Sequence, residues 1–297
     1  MSALLSPETL RRLEQFELLA RRKSQSAARG ERRSKARGQS VEFADHRNYA
    51  TGDDLRYLDW NLFGRLDRLF VKLYEEEREL PLLLLIDTSE SMSFGAARKL
   101  DFALKVAAAL GHVALCGFDR VTVMPFPEVP ENAGARMALR GIRGRKSSLR
   151  FLETLGRLQP KGPGRLNESL RQAALQSPHA GLAVVLSDFL DPEGYEPGLT
   201  ALLGRGFQVH AMQILAAEEI EPDYFGDLRL VDSETGAVQE VTFGKYRLSE
   251  YRKMVEGYCL RLREYCQTRG MGWFLARSDT DLGAFLLKEL RRAEVWK

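Results

Sequence analysis

Three oxygen-bearing side chains with the spacing Asp-x-Ser-x-Ser follow the most apolar stretch of this sequence. The run from Leu82 to Ile86 carries no charge and leads directly into Asp87, Ser89 and Ser91. A short apolar run bounded by polar residues is typical of a strand buried on both faces of a parallel sheet. Ligands of open α/β sheets collect beyond the carboxyl ends of such strands. One carboxylate and two hydroxyls at that point form part of the oxygen-only shell that Mg²⁺ prefers.

A second apolar run supports this interpretation. Residues 182–186 are all apolar, and the carboxylate of Asp188 follows them closely. Asp and Ser residues after a single strand are also ordinary helix caps and turn formers. A second apolar strand that ends in an acid makes a ligand site more favourable than the cap interpretation.

These segments resemble the metal-ion-dependent adhesion site of the von Willebrand factor A domain. In that family a later strand supplies an aspartate, and a Gly-Gly-Thr-Asn-Leu segment supplies a metal-binding threonine. The corresponding segment here places Gly164 at the threonine position and Arg165 directly after it. One hydroxyl is therefore missing, and the guanidinium is expected to compete with a metal for Asp87 and Asp188. The resemblance implies a von Willebrand factor A-like fold with, at most, weak Mg²⁺ binding.

Helical and strand patterns alternate around these motifs, which predicts a doubly wound, mostly parallel α/β sheet of Rossmann-like type. Helices are predicted over 99–115, 146–158, 166–176, 195–203, 248–269 and 280–292, and further strands over 68–75, 120–126, 207–215 and 273–276. A Ser-Glu-Thr-Gly turn between two alternating runs predicts an added β-hairpin over 228–243.

Composition indicates a globular protein. The chain has 297 residues, of which 44% are hydrophobic and 29% charged, as in soluble globular proteins. Its apolar runs are far shorter than the roughly 20 residues that span a bilayer. No secretion signal is recognisable, so a cytoplasmic location is expected. The odd cysteine count argues against a disulfide framework, so Cys116, Cys259 and Cys266 are expected to be reduced.

The N-terminal part is predicted to be a helical and basic extension. A capping serine, a proline and an acid start a helix at Ser6 that is expected to reach about Arg22. The segment 21–37 is rich in arginine and lysine and contains the single acid Glu31. It would attract nucleic acid electrostatically. However, it lacks the interleaved aromatic residues that stack on bases, so nucleic-acid binding is not expected.

A long motif ahead of the first apolar strand is more distinctive than the metal-site pattern. It reads Gly52-Asp53-Asp54-Leu55-Arg56-x-Leu58-Asp59-Trp60-Asn61, followed by Arg68-Leu69-Phe70-Val71-Lys72. This motif resembles the bacterial domain-of-unknown-function family numbered fifty-eight, whose members carry it ahead of a von Willebrand factor A-like half. Members are usually encoded beside MoxR-type AAA+ ATPases. The resemblance therefore implies such an ATPase as a partner, an unidentified client protein, and a role in protein maturation or chaperone-like assembly.

The motif also permits a physical interpretation. Asp53 and Asp54 predict a turn into a capped short helix, Arg56 and Asp59 are spaced to pair on its surface, and Trp60 is expected to anchor on the main sheet. The motif either docks the N-terminal part onto the main domain or forms a partner-binding face. The residues assigned to that face are Asp53, Asp54, Arg56, Asp59 and Trp60, together with Arg165. The predicted domains are residues 1–78 and 79–297.

No catalytic constellation is recognisable in the sequence. It contains no Gly-x-Ser-x-Gly elbow, no His-Glu-x-x-His and no P-loop, and its four histidines stand apart. The favoured function is a non-enzymatic protein-interaction module that acts through a degenerate metal-ion-dependent adhesion site. The alternative is a metal-dependent hydrolase that uses Asp87 and Asp188.

Overall fold

A computed structural model describes residues 4–16, 41–76, 79–127, 138–224, 226–231 and 236–286. The helices are α1 (Pro7–Leu13), α2 (Trp60–Leu66), α3 (Lys99–Cys116), α4 (Ser148–Leu155), α5 (Leu166–Gln176), α6 (Glu196–Gly204), α7 (Ala217–Ile220), α8 (Lys245–Thr268) and α9 (Leu282–Ala284). The strands are β1 (Val41–Asn48), β2 (Phe70–Glu76), β3 (Pro81–Asp87), β4 (Arg120–Phe126), β5 (Leu139–Ile142), β6 (Leu182–Ser187), β7 (Gln208–Leu215), β8 (Gly226–Val231), β9 (Val238–Phe243) and β10 (Gly272–Arg277). The predicted basic segment 21–37 lies outside the described residues.

The chain forms two compact units, and the larger one contains α1 together with the chain from Leu80 onward. Its six-stranded sheet has the order β10-β7-β6-β3-β4-β5. Neighbouring strands pair in parallel except β5, which pairs antiparallel with β4. The predicted doubly wound, mostly parallel α/β fold is confirmed. The short edge strand β5 was not predicted, because its four residues carry no clear alternation.

Strand β3 lies in the middle of this sheet, which explains why its core residues carry no charge. Leu82, Leu84 and Ile86 pack into the apolar cluster that contains α3 and α4. Leu83 and Leu85 pack into the opposite cluster, which contains α5, α6 and residues of α8. Each fully buried leucine or isoleucine stabilises the fold by roughly 1.5–3 kcal/mol, so alternate side chains of one strand stabilise both layers.

The sheet has a topological switch point beside β3. From β3 the chain continues to α3 on one face, and from the adjacent strand β6 it continues to α6 on the other face. The carboxyl ends of these two strands therefore border a crevice that neither connection covers. This is the edge where the predicted site residues lie.

The first helix belongs to the larger unit, whereas the domain boundary predicted from the sequence placed it in the domain of residues 1–78. Leu5 and Leu13 are buried in the cluster that contains α3. Ser6 caps α1 by accepting a hydrogen bond from the Thr9 N–H, as its sequence predicts. Burial of the apolar stripe against α3 explains the grouping. The predicted continuation of this helix to Arg22 is wrong, because the helix ends at Leu13 with Glu14 as its C-cap, and residues 14–16 are not helical.

The smaller unit contains an antiparallel pair, β1 and β2. The predicted strand over 68–75 is confirmed as β2. Its partner β1 was not predicted, because its register shifts between Phe43 and Asp45 and interrupts the alternation. Helix α2 and a single 3₁₀ turn (Leu55–Tyr57) lie between the two strands in the chain.

The remaining expectations concern the C-terminal third of the chain. Strands β8 and β9 pair antiparallel from Gly226 to Phe243, which confirms the predicted hairpin. Cys259 and Cys266 are free and both buried on α8. Within the described ranges, no helix has the length and apolar character needed to cross a bilayer.

Candidate functional site

The four predicted oxygen donors meet at the carboxyl edge of the sheet. Asp87 ends β3, and Asp188 follows the last residue of β6. The two strands are parallel neighbours, with Ile86 paired to Leu186, so the loops that follow them converge. Asp87 and Asp188 are only 4% and 3% exposed. The two carboxylates therefore form the floor of the site.

A chain of hydrogen bonds fixes the orientation of these groups. Asp87 accepts from the backbone N–H of Ser89 at 2.9 Å and from the Ser187 hydroxyl at 2.5 Å. The hydroxyls of Ser89 and Ser91 lie 3.0 Å apart, and Ser91 donates to Asp188 Oδ2 at 2.9 Å. Ser187 was not assigned to the site from the sequence, although its position next to Asp188 at a strand end was the available signal.

Asp188 is held by an unusual backbone conformation immediately after it. Phe189 is a buried non-glycine residue with φ of 60°, in the left-handed region. Its N–H donates to Ser187 Oγ at 3.0 Å, and its carbonyl accepts from the hydroxyl of Tyr258 on α8. Such a conformation is costly and persists only where surrounding contacts impose it. The contacts of Ser187 and Tyr258 therefore hold the backbone next to Asp188 in this conformation.

Lys99 supplies the positive charge at this site. It is the first residue of α3 and is 0% exposed. Its Nζ donates to Asp188 Oδ2 at 2.7 Å and to Glu219 Oε1 at 2.6 Å. The other Glu219 oxygen accepts from the Ala216 N–H at 2.7 Å. Sequence analysis missed this ion triad, because Lys99 is 89 residues from Asp188 and 120 from Glu219 along the chain.

The expectation that Arg165 offsets the charge of the two aspartates is wrong. The side chain of Arg165 is 64% exposed, and its guanidinium lies 3.5 Å from Glu168 one helical turn away. Gly164 lines the cavity above the aspartates, as the alignment predicted, and brings no hydroxyl to it. Lys99 takes the role that was assigned to Arg165.

Burial shifts the protonation equilibria of this cluster. Burial and the nearby Asp188 charge raise the pKa of Asp87 from 3.8 to about 7. Burial alone would lower the pKa of Lys99, but Asp188 and Glu219 outweigh it and raise that pKa above the ordinary lysine value. Burial raises the pKa of Glu219 despite the opposing effect of Lys99. Near neutral pH, therefore, Lys99 is charged, and Asp87 is present in both its protonated and its ionised form.

This donor set fits a Mg²⁺ ion poorly. Mg²⁺ demands near-octahedral oxygen ligands at roughly 2.0–2.1 Å. Asp188 Oδ2 already accepts from both Ser91 and the Lys99 ammonium. A cation at that oxygen would lie against a fixed positive charge. The threonine hydroxyl that completes such sites in the resembled family is replaced by Gly164.

A cavity of about 340 Å³ opens above the floor. Its polar lining includes Asp191 and Glu219 in addition to the central aspartates. Its apolar lining includes three exposed large side chains from separate segments, namely Phe94, Leu190 and Val231. They are 45%, 46% and 61% exposed. The site is therefore a polar floor with an apolar, solvent-facing rim.

The distinctive motif of the smaller unit uses its acids in local structure. Asp53 forms two hydrogen bonds with the Arg47 guanidinium, at 2.7 and 2.8 Å, and Asp54 caps the 3₁₀ turn. Asp59 caps α2, and its carboxylate also pairs with His46 at 2.9 Å. The predicted capped helix is confirmed.

One expectation for that motif is wrong. Arg56 pairs with Asp54 rather than with Asp59, because Asp59 is 8% exposed and is directed toward His46 and Lys72. The His46 hydrogen bond accordingly lowers the pKa of Asp59 to about 2. Trp60 is 63% exposed, and its indole lies edge-to-face against Phe63.

One cluster outside the cavity also combines metal-binding residue types. Ligand atoms of Glu14, His112 and Cys116 lie within 4.8 Å of one another. The Glu14 carboxylate also contacts Arg145 at 3.4 Å, and burial raises the pKa of the Cys116 thiol. Both features favour a neutral packing contact, since a metal requires the thiolate and an available carboxylate.

Comparisons with known proteins agree with the motif of the smaller unit. Residues 45–256 match the family described as "Protein of unknown function DUF58". The chain belongs to this family. It is 30% identical over 281 residues to the uncharacterized protein Rv1480 of Mycobacterium tuberculosis, an alignment that covers 93% of this chain and 86% of the relative.

Solved structures with a similar fold are more distant. The conserved hypothetical protein BatB from Bacteroides thetaiotaomicron aligns with a TM-score of 0.44 and 14% identity, over 73% of this chain and 98% of that chain. A von Willebrand factor type A structure from Catenulispora acidiphila aligns with a TM-score of 0.35 and 19% identity, over 62% of this chain and 43% of that chain.

Proposed function

We propose that this protein is a non-enzymatic, cytoplasmic interaction module that binds a MoxR-type AAA+ ATPase through the cavity at the carboxyl edge of its sheet. The supporting observation is the apolar rim of that cavity, formed by Phe94, Leu190 and Val231. The identity of the partner rests on the family resemblance alone. The position of the contact rests on the rim.

The anatomy of this cavity matches that of protein interfaces. Interface cores are enriched in aromatic and aliphatic anchors that surround or fill small pockets. Phe94 precedes α3, Leu190 follows β6, and Val231 ends β8. Exposed apolar residues that are scattered singly need no explanation, whereas a cluster from separate segments around one cavity favours a binding role.

The central aspartates act as support in this proposal. Both are nearly inaccessible, and their oxygens are engaged by Ser89, Ser187, Ser91 and Lys99. A partner would contact the rim and the more exposed Asp191 before it reached them. The hydrolase alternative has less support, because Lys99 already holds the Asp188 oxygen that a catalytic metal would need.

The rim can be tested with a double variant. Phe94→Ser/Leu190→Arg is expected to weaken binding to a purified MoxR-type ATPase from the same genome by at least about tenfold, since interface anchors commonly contribute more than 1 kcal/mol each. Surface plasmon resonance would measure the affinity, and circular dichroism would verify the fold.

A matched control is an exposed leucine that does not line the cavity. Leu175 on α5 is 76% exposed and is absent from the cavity lining, so Leu175→Ser should bind as the wild type does. Equal affinity of the folded double variant and the wild type would contradict the proposed contact. Phosphoester hydrolysis by the wild type that Asp87→Ala abolishes would favour the hydrolase instead.

A further inference from the structure

We infer that the Lys99 ammonium takes the place of a divalent cation in this site, and that the cavity floor is therefore built to work without metal. The inference concerns the floor of the cavity and does not depend on which partner binds the rim. It rests on where Lys99 lies, which oxygens it contacts, and how unfavourable its position would be without them.

Two costs oppose a buried lysine at this point in the fold. Lysine is almost never fully buried unless it is paired, since its desolvation costs several kcal/mol. Lys99 is also the first residue of α3, where the positive end of the helix dipole disfavours a cation. Neither packing nor helix formation explains the choice of lysine here. The carboxylates of Asp188 and Glu219 do.

The contacts of Nζ are those expected of a cation that links two acidic segments. Nζ lies 2.7 Å from Asp188 after β6 and 2.6 Å from Glu219 on α7. Ser91 Oγ donates to the same Asp188 oxygen. Lys99 thus connects three separate segments through one centre, which is the structural role that a bound metal performs in an adhesion site.

The position of the Lys99 ammonium also opposes the binding of a divalent cation in this site. A divalent ion shared by Ser89, Ser91 and Asp188 would lie next to a positive charge in a low-dielectric setting, where repulsion is strong. It would also have to displace the Nζ hydrogen bond to Asp188. If a partner binds this cavity, as proposed above, it therefore meets protein side chains rather than an open metal position.

Removal of the ammonium should create a metal site. Lys99→Ser would leave Asp87, Ser89, Ser91 and Asp188 without a competing cation. We expect this variant to bind Mn²⁺ at least about tenfold more tightly than the wild type, because ligand charge and competing charge set the affinity of such sites. Calorimetric titration and Mn²⁺ electron paramagnetic resonance would measure the binding.

Two further variants make the experiment decisive. Lys105 is exposed on the same helix, so Lys105→Ser should bind Mn²⁺ no better than the wild type. Lys99→Ser/Glu219→Gln removes one uncompensated acid while it retains all four donors, and it serves if the single variant folds poorly. A folded Lys99 variant that gains no Mn²⁺ affinity would overturn the inference.

The wild type provides an independent measurement. Its thermal melting temperature is expected to be the same in EDTA and in millimolar Mg²⁺ or Mn²⁺, because a ligand stabilises only a state that binds it. A dose-dependent rise with either metal, or collapse of the fold in EDTA, would overturn the inference. These outcomes are separate from the loss of ATPase binding that tests the proposed function.

Discussion

Lys99→Met is expected to lower the free energy of unfolding of the larger unit by about 3–5 kcal/mol, the usual cost of removing one partner from a buried ion pair. The substitution retains an unbranched apolar side chain and removes the ammonium together with its hydrogen bonds to Asp188 and Glu219. Asp188 and Glu219 would then face each other without the ammonium that lies 2.7 and 2.6 Å from them. Urea denaturation followed by circular dichroism would measure the loss.

The cause of that loss can be separated from packing effects. Lys105→Met on the exposed face of α3 should change stability by less than about 0.5 kcal/mol. Lys99→Met/Glu219→Gln should recover part of the loss, because one uncompensated carboxylate is gone. Lower pH should also reduce the difference in unfolding free energy between Lys99→Met and the wild type, since protonation neutralises a carboxylate. A loss below about 1 kcal/mol in the single variant would show that the triad contributes little.

The sheet was predictable from local pattern, and the position of the site from local pattern together with the family resemblance. The uncharged run of β3 predicts a buried strand, and the resemblance to the von Willebrand factor A pattern assigns the acid after β6 to the same site. Parallel pairing then forces Asp87 and Asp188 together. No knowledge of side-chain direction is needed for that step. The same reasoning predicts the hydroxyls of Ser89 and Ser91.

The cation of the site was not predictable, because it depends on which way one side chain turns. Lys99 begins a helix that also carries Lys105 and Asp101, and the sequence does not distinguish the buried lysine from the exposed one. Its two partners lie far away along the chain, and Glu219 belongs to a helix of only four residues. Arg165 was the charged residue nearest to the motif in the alignment, but it turns outward to Glu168.

The smaller unit illustrates the same limit. Its acids were correctly predicted to form turns and caps, because Asp residues before short helices do so by contacts within two or three positions. The partner of Asp59 was not predicted, since His46 lies on a strand 13 residues earlier. Hydrogen bonds between residues two or three positions apart can thus be predicted from the sequence, whereas pairs between different helices and strands can be identified only once the fold is known.

Asp87→Asn is expected to stabilise the protein above neutral pH, although it alters a central residue of the site. The carboxyl of Asp87 has a pKa of about 7 in the fold against an ordinary value of 3.8. Between these values the folded state binds the proton more tightly than the unfolded state does. The stability that Asp87 contributes is therefore greatest below pH of about 4 and is lost as the pH rises through 7. Asparagine has the same shape and carries no charge to desolvate.

The expected difference is measurable. At about pH 8 the variant should exceed the wild type by about 2–4 kcal/mol of unfolding free energy, less what is lost in its hydrogen bonds to Ser89 and Ser187. At about pH 5 most of that advantage should be gone, because the wild-type carboxyl is then protonated. Urea titrations at both pH values would decide it, with Asp223→Asn at an exposed position as the matched control. A difference between variant and wild type that stays constant with pH would mean that Asp87 is ionised throughout this range and is stabilised by its neighbours rather than penalised by burial.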